Sequence, residues 1–249
     1  SILSDYSETS PTQPVMQKAV PKLKIFGTLL TDVIRKNRCS GCGACLAVCP
    51  PSIVLMKKVP GKDEEPTLSG KCILCEFCYY QCPWTEPLPT ELDVFGRNRN
   101  EAEEFGVHLD YHSARSKRED FLKVASDGGV VTSLLAYALE KGVVDCGVVS
   151  GVSEKESWKP IPKVVSTVDE LIKNAGTRYS VSPTIMGLGS AVEEYGKRRI
   201  AVVGTPCQVR AVRKMQSPSY GATKFGLKVG LTMGLFCMEN FYYDGLIKT

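Results

Sequence analysis

Two short stretches of the chain decide how the sequence is interpreted. Residues 39–50 are CSGCGACLAVCP, and residues 72–83 are CILCEFCYYQCP. Both have the spacing C-x2-C-x2-C-x3-C, and in both a proline follows the last cysteine. Eight of the 11 cysteines therefore belong to one duplicated motif. A repeated four-thiolate spacing of this kind is typical of proteins that hold two iron–sulfur clusters.

The spacing also predicts which cysteines share a cluster. Three thiolates separated by two residues surround one cuboidal cluster, and the fourth reaches the other cluster of the pair. We therefore predict two [4Fe–4S] clusters, each held by three cysteines of one stretch and one of the other. The first set is Cys39, Cys42, Cys45 and Cys82, and the second set is Cys72, Cys75, Cys78 and Cys49.

Disulfides and zinc are the alternatives for so many cysteines. Disulfides require an oxidising compartment. The polar N-terminus, rich in Ser, Thr and Pro over residues 1–14, does not have the pattern of a secretory signal. Zinc ribbons use two cysteines per knuckle rather than three plus a fourth before proline. Iron–sulfur clusters are therefore favoured.

The composition indicates a folded chain. Of the 249 residues, 43% are hydrophobic and 23% are charged, so a substantial core is expected. The mean hydropathy is −0.08, and no apolar run approaches the ~20 residues of a membrane helix. The net charge of +4 and the absence of a binding motif argue against a nucleic-acid partner. We expect a cytoplasmic protein with no transmembrane segment, or one peripheral to a membrane complex through partner subunits.

The chain divides into four predicted parts. Residues 1–38 form an N-terminal arm with an amphipathic segment at 23–34, and residues 39–90 form a ferredoxin-like domain in which 51–71 is an exposed loop. Residues 91–112 are a linker, and from residue 113 to 249 helices and strands alternate, as in an α/β domain. The helices are predicted at 130–142, 171–174 and 206–215, and the strands at 143–149, 199–203 and 227–236.

Small residues with free backbone N–H groups stand at three junctions of the α/β part, at residues 126–129, 175–180 and 204–208. A glycine-rich helix N-terminus binds anions, because its unpaired N–H groups and the helix dipole face the ligand. None of the three matches G-x-G-x-x-G or the P-loop, which argues against an ordinary dinucleotide fold or an NTPase. Taken alone, each is weak evidence for a ligand site and is better explained as a tight turn.

A basic stretch accompanies these loops. Residues 195–238 contain no Asp or Glu. The eight basic residues of this stretch are Lys197, Arg198, Arg199, Arg210, Arg213, Lys214, Lys224 and Lys228. Such a field suits a polyanionic ligand such as the FAD pyrophosphate, and the alternative is a solvated basic face.

Three cysteines lie outside the duplicated motif. Cys146 is surrounded by Val and Gly, which predicts a small core residue. Cys207 opens a predicted helix, where it is either a cluster ligand or a contact of a flavin. His108 and His112 have no ligand pattern around them and are interpreted as surface or core residues.

Four segments in series carry a family resemblance. They are SDGGVVTSLL at 126–135, AGTRY at 175–179, GTPCQ at 204–208 and GLFC at 234–237. Over about residues 113–249 the chain resembles the coenzyme F420 hydrogenase/dehydrogenase beta-subunit family. With its two-cluster motif it is most similar, within that family, to the F420H2-oxidising subunit of F420H2 dehydrogenase and to the corresponding half of F420-dependent sulfite reductase.

The resemblance implies a fold and an activity. The fold is a small ferredoxin-like two-[4Fe–4S] domain joined to an α/β flavin-binding domain. The activity is that of an F420-dependent oxidoreductase of archaeal-type anaerobic metabolism. Electrons pass from reduced coenzyme F420, the substrate, through FAD to the clusters and to other redox subunits or a fused reductase domain. No catalytic acid or base is required, because the hydride passes between bound cofactors.

The same resemblance implies site residues. The implied cofactor contacts are Ser126, Asp127, Gly128, Gly129, Val130, Thr132, Ser133, Thr177, Arg178, Tyr179, Ser180, Gly204, Thr205, Pro206, Gln208 and Arg210. Cys207 and Cys237 are implied ligands of a third [4Fe–4S] cluster. The Cys-x2-Cys region that would complete this cluster does not occur before residue 249. We therefore expect either a C-terminally incomplete α/β domain or a cluster that is absent or completed differently.

Two other functions are compatible with the sequence. One is a ferredoxin-type electron carrier whose α/β part only docks it to a complex. The other is a ferredoxin-dependent reductase of the hydroxymethyl-chlorophyll reductase type, which belongs to the same wider family.

Overall fold

The computed structural model of the chain describes residues 23–247. The extended arm predicted before residue 23 lies outside the described residues, as do residues 248 and 249. We call residues 23–90 the cysteine-rich region and residues 113–247 the α/β region. None of the helices described between residues 23 and 247 has the length and hydropathy of a bilayer-spanning segment.

The cysteine-rich region is built from short elements. Helix α1 (Phe26–Leu29) continues as a π-helical turn (Leu30–Ile34) and is followed by α2 (Ala44–Ala47), β1 (Val54–Lys58), β2 (Glu64–Leu68) and α3 (Phe77–Tyr80). The segment 23–34, assigned to the arm from the sequence, buries Phe26, Leu29 and Val33 against the cysteine-bearing loops. Its apolar face is thus part of the core of this region.

The prediction of an exposed loop at residues 51–71 is wrong. Strands β1 and β2 form an antiparallel hairpin in which Val54 lies opposite Leu68. The hairpin turns at Pro60-Gly61, and Val54 and Pro66 are buried. The strands were not predicted because charged residues lie near the turn and because a two-stranded hairpin with one solvated face carries few apolar residues.

The segment predicted as a linker contains one further helix, α4 (Glu91–Phe95). Thr90 begins the helix and Asp93 closes a capping box, so that the first amide groups are satisfied. Glu91 pairs with Arg99 at 2.6 Å, and Glu103 pairs with Arg97 at 2.6 Å. Residues 91–112 are therefore folded upon themselves by local polar contacts.

The α/β region contains the remaining elements: α5 (Glu119–Val124), α6 (Val130–Glu140), β3 (Cys146–Val152), β4 (Pro160–Val165), α7 (Val168–Lys173), α8 (Met186–Glu193), β5 (Ile200–Gly204), α9 (Pro206–Met215), α10 (Thr223–Gly226), β6 (Val229–Gly234) and α11 (Tyr243–Ile247). The sheet has the order β4-β3-β5-β6. Strands β3, β5 and β6 are parallel, and β4 is antiparallel to β3.

Sequence patterns predicted six of these eleven elements and missed five, namely α5, β4, α8, α10 and α11. Helix α9 has the predicted bounds with Pro206 in its first turn, and the capping box of Thr167 and Glu170 opens α7. Strand β4 was missed because its sequence, PIPKVV, contains two prolines, which are tolerated only at a sheet edge. Helix α8 was missed because Gly187 and Gly189 lower its helix propensity.

Helices cover both faces of the sheet. On one face, Phe121, Leu135 and Leu171 of α5, α6 and α7 form a core with strand residues. On the other face, the core includes Leu188 of α8 and Val212 of α9. Cys42, Ala44 and Val48 of the cysteine-rich region are buried in this same second core. The two regions are therefore joined by a shared hydrophobic core.

Glycines permit the close approach at this junction. Gly43 has a φ of +85°, and a Cβ there would lie 2.6 Å from the carbonyl oxygen of Pro183 and 2.9 Å from the amide nitrogen of Met186. On α8, a Cβ at Gly189 would lie 3.1 Å from the Cα of Ala47. The backbones on both sides leave no room for a side chain.

We predict that Gly43→Ala destabilises the protein more than Gly61→Ala. Gly61 also has a positive φ, +74°, but no atom lies within 4 Å of a Cβ there. Alanine at this position should therefore lower the stability only by the cost of a left-handed backbone, about 1 kcal/mol. Gly43→Ala adds an overpacking cost of about 1–3 kcal/mol. Thermal unfolding of the anaerobically prepared protein should show a midpoint lower by roughly 2–4 °C for each extra kcal/mol. Equal midpoints for the two variants would show that the close approach at Gly43 is not required.

Candidate functional site

Four cysteines of the first predicted set line one cavity. The cavity has a volume of about 350 Å³. Its walls include Leu29, Val33 and Ile34 of the first helix, Pro66 of the hairpin, and Trp84. The cysteines are Cys39, Cys42, Cys45 and Cys82. The fourth of them comes from the second stretch of sequence, 37 positions beyond Cys45.

A second cavity of nearly the same size, about 330 Å³, lies beside Phe26, Ile53 and Val54. It is lined by Cys49, Cys72, Cys75 and Cys78. The structure thus brings together the same two sets of four thiols that the spacing predicts, including the exchange of Cys49 and Cys82. Similar volumes and matching donor sets are expected when one site has been duplicated.

The two loops position their thiols in the same way. Gly43 and Glu76 occupy equivalent places in the two motifs, and both have left-handed backbones, with φ of +85° and +65°. Each begins a helix of four residues, α2 or α3, that carries the third cysteine of its stretch. The chain therefore curls tightly around each cavity.

Backbone amides face the thiols. The amide of Leu74 donates to the Sγ of Cys72 at 3.4 Å, and the thiol of Cys39 receives a hydrogen bond from the amide of Gly41. The amide of Trp84 donates likewise to Cys82. Such N–H donors stabilise sulfur that carries negative charge, as in a thiolate bound to iron.

Burial keeps the free thiols protonated. Desolvation raises the pKa of Cys42 and Cys45 well above the usual value, that of Cys78 to about 12, and that of Cys82 to about 11. Neighbouring thiols add to the shift of Cys78, and the amide of Trp84 opposes that of Cys82. A metal centre must therefore displace protons from these cavities, so its assembly is coupled to proton release. Four sulfur donors in an apolar cavity fit a [4Fe–4S] cluster.

The small-residue loops meet at the carboxyl edge of the sheet. Gly204 and Gly234 are paired at the ends of β5 and β6, and the amide of Leu235 donates to the carbonyl of Gly204 at 2.9 Å. The hydroxyl of Ser126 accepts the amide of Thr177 at 2.9 Å. These contacts bring three chain segments with free backbone groups to one edge, where ligands of α/β folds commonly bind.

The loop at 175–180 also contacts the segment that follows β6. Ser180 forms an isolated bridge with Phe241, whose amide donates to the carbonyl of Tyr179 at 2.8 Å. The side-chain amide of Gln208 donates to the carbonyl of Ser182 at 2.9 Å. All three predicted loops and the segment after β6 are thus linked by hydrogen bonds.

This edge fits a polar, negatively charged ligand. Helix α6 begins at Gly129, with φ of +67° and no side chain capping its first amides. Within the described residues, Arg178 Nε and Ser180 Oγ are buried and have no hydrogen-bond partner. Buried polar groups of this kind require a partner, which a phosphate or another polar part of a flavin nucleotide would supply.

Some predicted contact residues are engaged within the protein. The Oε1 of Gln208 accepts the amide of Thr205 at 2.9 Å, and the hydroxyl of Ser133 bonds to Ser116 and Gly129. Thr132 is buried in α6, whereas Asp127, Tyr179 and Pro206 are exposed. The remaining predicted positions, Gly128, Val130 and Thr177, lie on the edge loops described above.

The basic stretch does not form a single field. The Nη1 of Arg210 donates to the carbonyl of Pro83, and its guanidinium lies over the ring of Trp84 at 5.7 Å. Arg199 is paired with Asp145, and Lys224 with Glu193. Acidic residues distant in sequence thus balance part of the charge, and Arg210 contacts the cysteine-rich region rather than the other edge loops.

The remaining cysteines are separated in the structure. Cys146 is fully buried in the core, as predicted. Cys207 begins α9 close enough to Cys39 and Cys42 for the thiols to interact electrostatically. Cys237 is exposed, and its sulfur accepts the side-chain amide of Asn240 at 3.5 Å.

Neither the histidines nor other groups of side chains form a site for a single metal ion in the part of the chain that the structure describes. His108 stacks on Tyr111 with ring centroids 4.3 Å apart, and His112 is exposed near Asp110. Between residues 23 and 247, no three His, Cys, Asp or Glu side chains are grouped as ligands of a single metal ion.

Family models match three parts of the chain. The model described as "Coenzyme F420 hydrogenase/dehydrogenase, beta subunit N-term" matches residues 111–188, and the model for the C terminus of the same beta subunit matches residues 197–249. A 4Fe-4S dicluster domain matches residues 38–86, the part that contains both cavities.

Individual relatives agree with these matches. Coenzyme F420 hydrogenase subunit beta of Methanothermobacter thermautotrophicus is 44% identical over 141 residues, which are 57% of this chain and 50% of that protein. One of the subunits of F(420)H(2) dehydrogenase of Methanosarcina mazei is 32% identical over 228 residues, 88% of this chain and 58% of that protein. The chain spans about half the length of the first curated relatives that it matches.

A solved structure gives the same result. A chain of the F420-reducing [NiFe] hydrogenase complex from Methanosarcina barkeri superposes with a TM-score of 0.50 and 41% identity, over 54% of this chain and 46% of that one. The segments matched by the family models contain the three edge loops, and the dicluster match contains the eight paired cysteines. This chain therefore belongs to the coenzyme F420 hydrogenase/dehydrogenase beta-subunit family and carries a 4Fe-4S dicluster domain in front of the family's α/β part.

Proposed function

We propose that the chain is the electron-input module of an F420-dependent oxidoreductase. In this proposal reduced coenzyme F420 is the electron donor, FAD and the two [4Fe–4S] clusters are the bound redox groups, and a partner redox subunit or fused reductase domain is the acceptor. The named relatives, which belong to an F420 hydrogenase and an F420H2 dehydrogenase, support this assignment. We also propose residues 113–249 as the unit that binds FAD and F420.

The observation that carries the proposal is the short connection between the edge loops and the first cavity. The carbonyl of Ser182 accepts the side chain of Gln208, and three residues later the amide of Ile185 donates to the carbonyl of Cys42 at 3.0 Å. A Cβ at Gly41 would overlap the side chain of Val181. One segment, 181–185, thus contacts both the proposed flavin site and the cysteine loop.

Each part of the chain has a role that its own residues define. A deazaflavin delivers a hydride and an iron–sulfur cluster accepts single electrons, so a flavin between them supplies the conversion. The edge loops hold polar groups at fixed positions, and mostly apolar side chains line both cavities. The shared core keeps the edge and the first cavity at a fixed separation, which electron transfer and hydride transfer both require.

Two alternatives remain to be tested against this proposal. A ferredoxin-type carrier would use the clusters and leave the edge loops without a flavin. A ferredoxin-dependent reductase would use the same groups with electrons flowing in the opposite direction. The unpartnered Arg178 Nε and Ser180 Oγ favour a bound ligand at the edge over a purely structural α/β region.

The pairing of cysteines is tested by double substitution. The intact chain should hold about eight Fe, four in each cluster. We predict that Cys49→Ala with Cys72→Ala lowers the iron content to about four, because both replaced thiols line the second cavity. Cys49→Ala with Cys39→Ala should remove most iron, because one ligand is lost from each cavity.

Cys146→Ala is the control, since this buried thiol lines neither cavity and the variant should keep about eight Fe. Iron and sulfide are measured on anaerobically purified protein. If Cys49→Ala with Cys39→Ala retains as much iron as Cys49→Ala with Cys72→Ala, or more, the exchanged fourth ligands are assigned incorrectly.

Flavin binding is tested at the two ends of α6. We predict that Gly129→Asp lowers the FAD content, because a carboxylate would stand beside the uncapped amides where an anionic group is proposed to bind. Gly142→Asp is matched to it, since Gly142 has a similar φ of +64° at the other end of the helix and free space around it. FAD and iron are measured in both variants within the longest available form of the chain. Full FAD retention in Gly129→Asp, with iron unchanged, would contradict the proposed flavin site.

The donor is tested by direct comparison. We predict that reduced F420 reduces a viologen dye through the protein, whereas NADH at equal concentration is a poor donor, because the chain has no nicotinamide-binding fingerprint. Initial rates are measured on protein with FAD and clusters fully loaded. Equal or faster rates with NADH, or no activity with reduced F420, would favour the carrier function instead.

A further inference from the structure

Lys214 is a buried ammonium without a carboxylate partner. Its side chain is 0% exposed, and it is the one lysine or arginine that is buried in the part of the chain that the structure describes. The ion pairs found between residues 23 and 247 do not include it. Its Nζ donates to the carbonyl and to the hydroxyl of Thr85, and the ring of Tyr220 lies 6.0 Å away. These neutral contacts engage two of its three N–H groups and supply no negative charge.

A buried charge of this kind is costly unless a negative charge lies near it. Thr85 connects Lys214 with the first cavity, where a negative charge could lie. Its hydroxyl, itself buried, donates to the carbonyl of Tyr79 and also lies 3.1 Å from the carbonyl of Cys82, which carries the fourth thiol of the first cavity. The charge of Lys214 acts on the Cys82 thiol directly, and the nearby carboxylate of Glu86 is exposed to solvent. A centre held by four thiolates in the first cavity would supply a compensating charge close to Lys214.

The second cavity has a different electrostatic environment. Glu76 forms part of its wall, and its carboxylate accepts the amide of Lys24. The side chain of Lys24 is directed over the ring of Tyr79 and is only half-buried. Two cavities that match in volume and donors thus differ in the charge next to them.

We propose that Lys214 is the counter-ion of the cluster held by Cys39, Cys42, Cys45 and Cys82 and raises the reduction potential of this cluster. Reduction adds one electron to the cluster, forms no bond, and leaves one more negative charge in the cavity. A fixed positive charge in a region of low dielectric stabilises that reduced state more than the oxidised one. The inference rests on the proposed function only for the presence of the two clusters. Because of its higher potential, the cluster nearest the α/β region is the one that holds an incoming electron.

The test is a redox titration of the anaerobically purified full chain, followed by electron paramagnetic resonance. Lys214→Met should lower the midpoint potential of one of the two one-electron reduction steps by at least about 59 mV. At a given potential, this shift corresponds to a tenfold change in the ratio of reduced to oxidised cluster. The other step should not move. Lys214→Arg should restore the first step, because it keeps the charge. Lys214→Gln is a second neutral variant, and iron content shows that each variant retains both clusters.

Arg38→Gln is the matched control. The charge of Arg38 also acts on the Cys82 thiol, but this side chain is exposed, so its effect should be smaller and should disappear as salt rises. Equal shifts for Lys214→Met and Arg38→Gln, or a Lys214→Arg variant that behaves like Lys214→Met, would overturn the inference. Wild-type protein without two reducible clusters would overturn the proposed function as well. Two clusters whose steps do not move would overturn this inference alone.

Discussion

The first cysteine loop is buried in the core of the α/β region, and this packing positions the candidate sites relative to each other. Cys42, Ala44 and Val48 share one apolar core with strands β3 and β5 and helices α8 and α9. Because interiors are closely packed, this core leaves little freedom for one region to move against the other. Gly43 and Gly189 are present where the backbones meet, and a side chain at either place would meet main-chain atoms. The first cavity is thereby fixed beside the carboxyl edge of the sheet.

The same packing determines what the basic residues of α9 do. Along the sequence, they belong to a stretch without acidic residues, which suggests an open field for an anionic ligand. In the fold, Arg210 is directed to Pro83 and Trp84, and Lys214 is buried against Thr85. Helix α9 thus has its thiol, Cys207, in its first turn and its buried ammonium near the other end, and both interact electrostatically with cysteines of the first cavity. Among the residues that the structure describes, these contacts of Arg210 and Lys214 are made with residues 83–85, beside the first cavity, and not with residues that line the second.

The carboxyl edge of the sheet gathers polar groups in the way expected of a ligand site in an α/β fold. The loops come from residues that lie far apart in sequence, yet hydrogen bonds between backbone and side chains join them. Ser180 and Arg178 retain unpartnered buried atoms there, which is unusual in a folded protein and consistent with a site that binds a polar ligand. The segment from residue 181 to 185 then continues without interruption to the first cavity.

Features that depend on local spacing could be predicted before the fold was known. The duplicated cysteine motif specified both sets of thiols, the capping box at Thr167 specified the start of α7, and Pro206 specified the start of α9. These features could be predicted because the interactions that determine them join residues only a few positions apart in sequence. Packing in the folded chain was needed to establish the hairpin at 54–68, the edge strand β4 and helix α8, because their local preferences are weak or contradictory. It also decided the partners of Arg199, Arg210 and Lys214, because a side chain's charge has its effect through neighbours that are distant in sequence and are brought close only by packing.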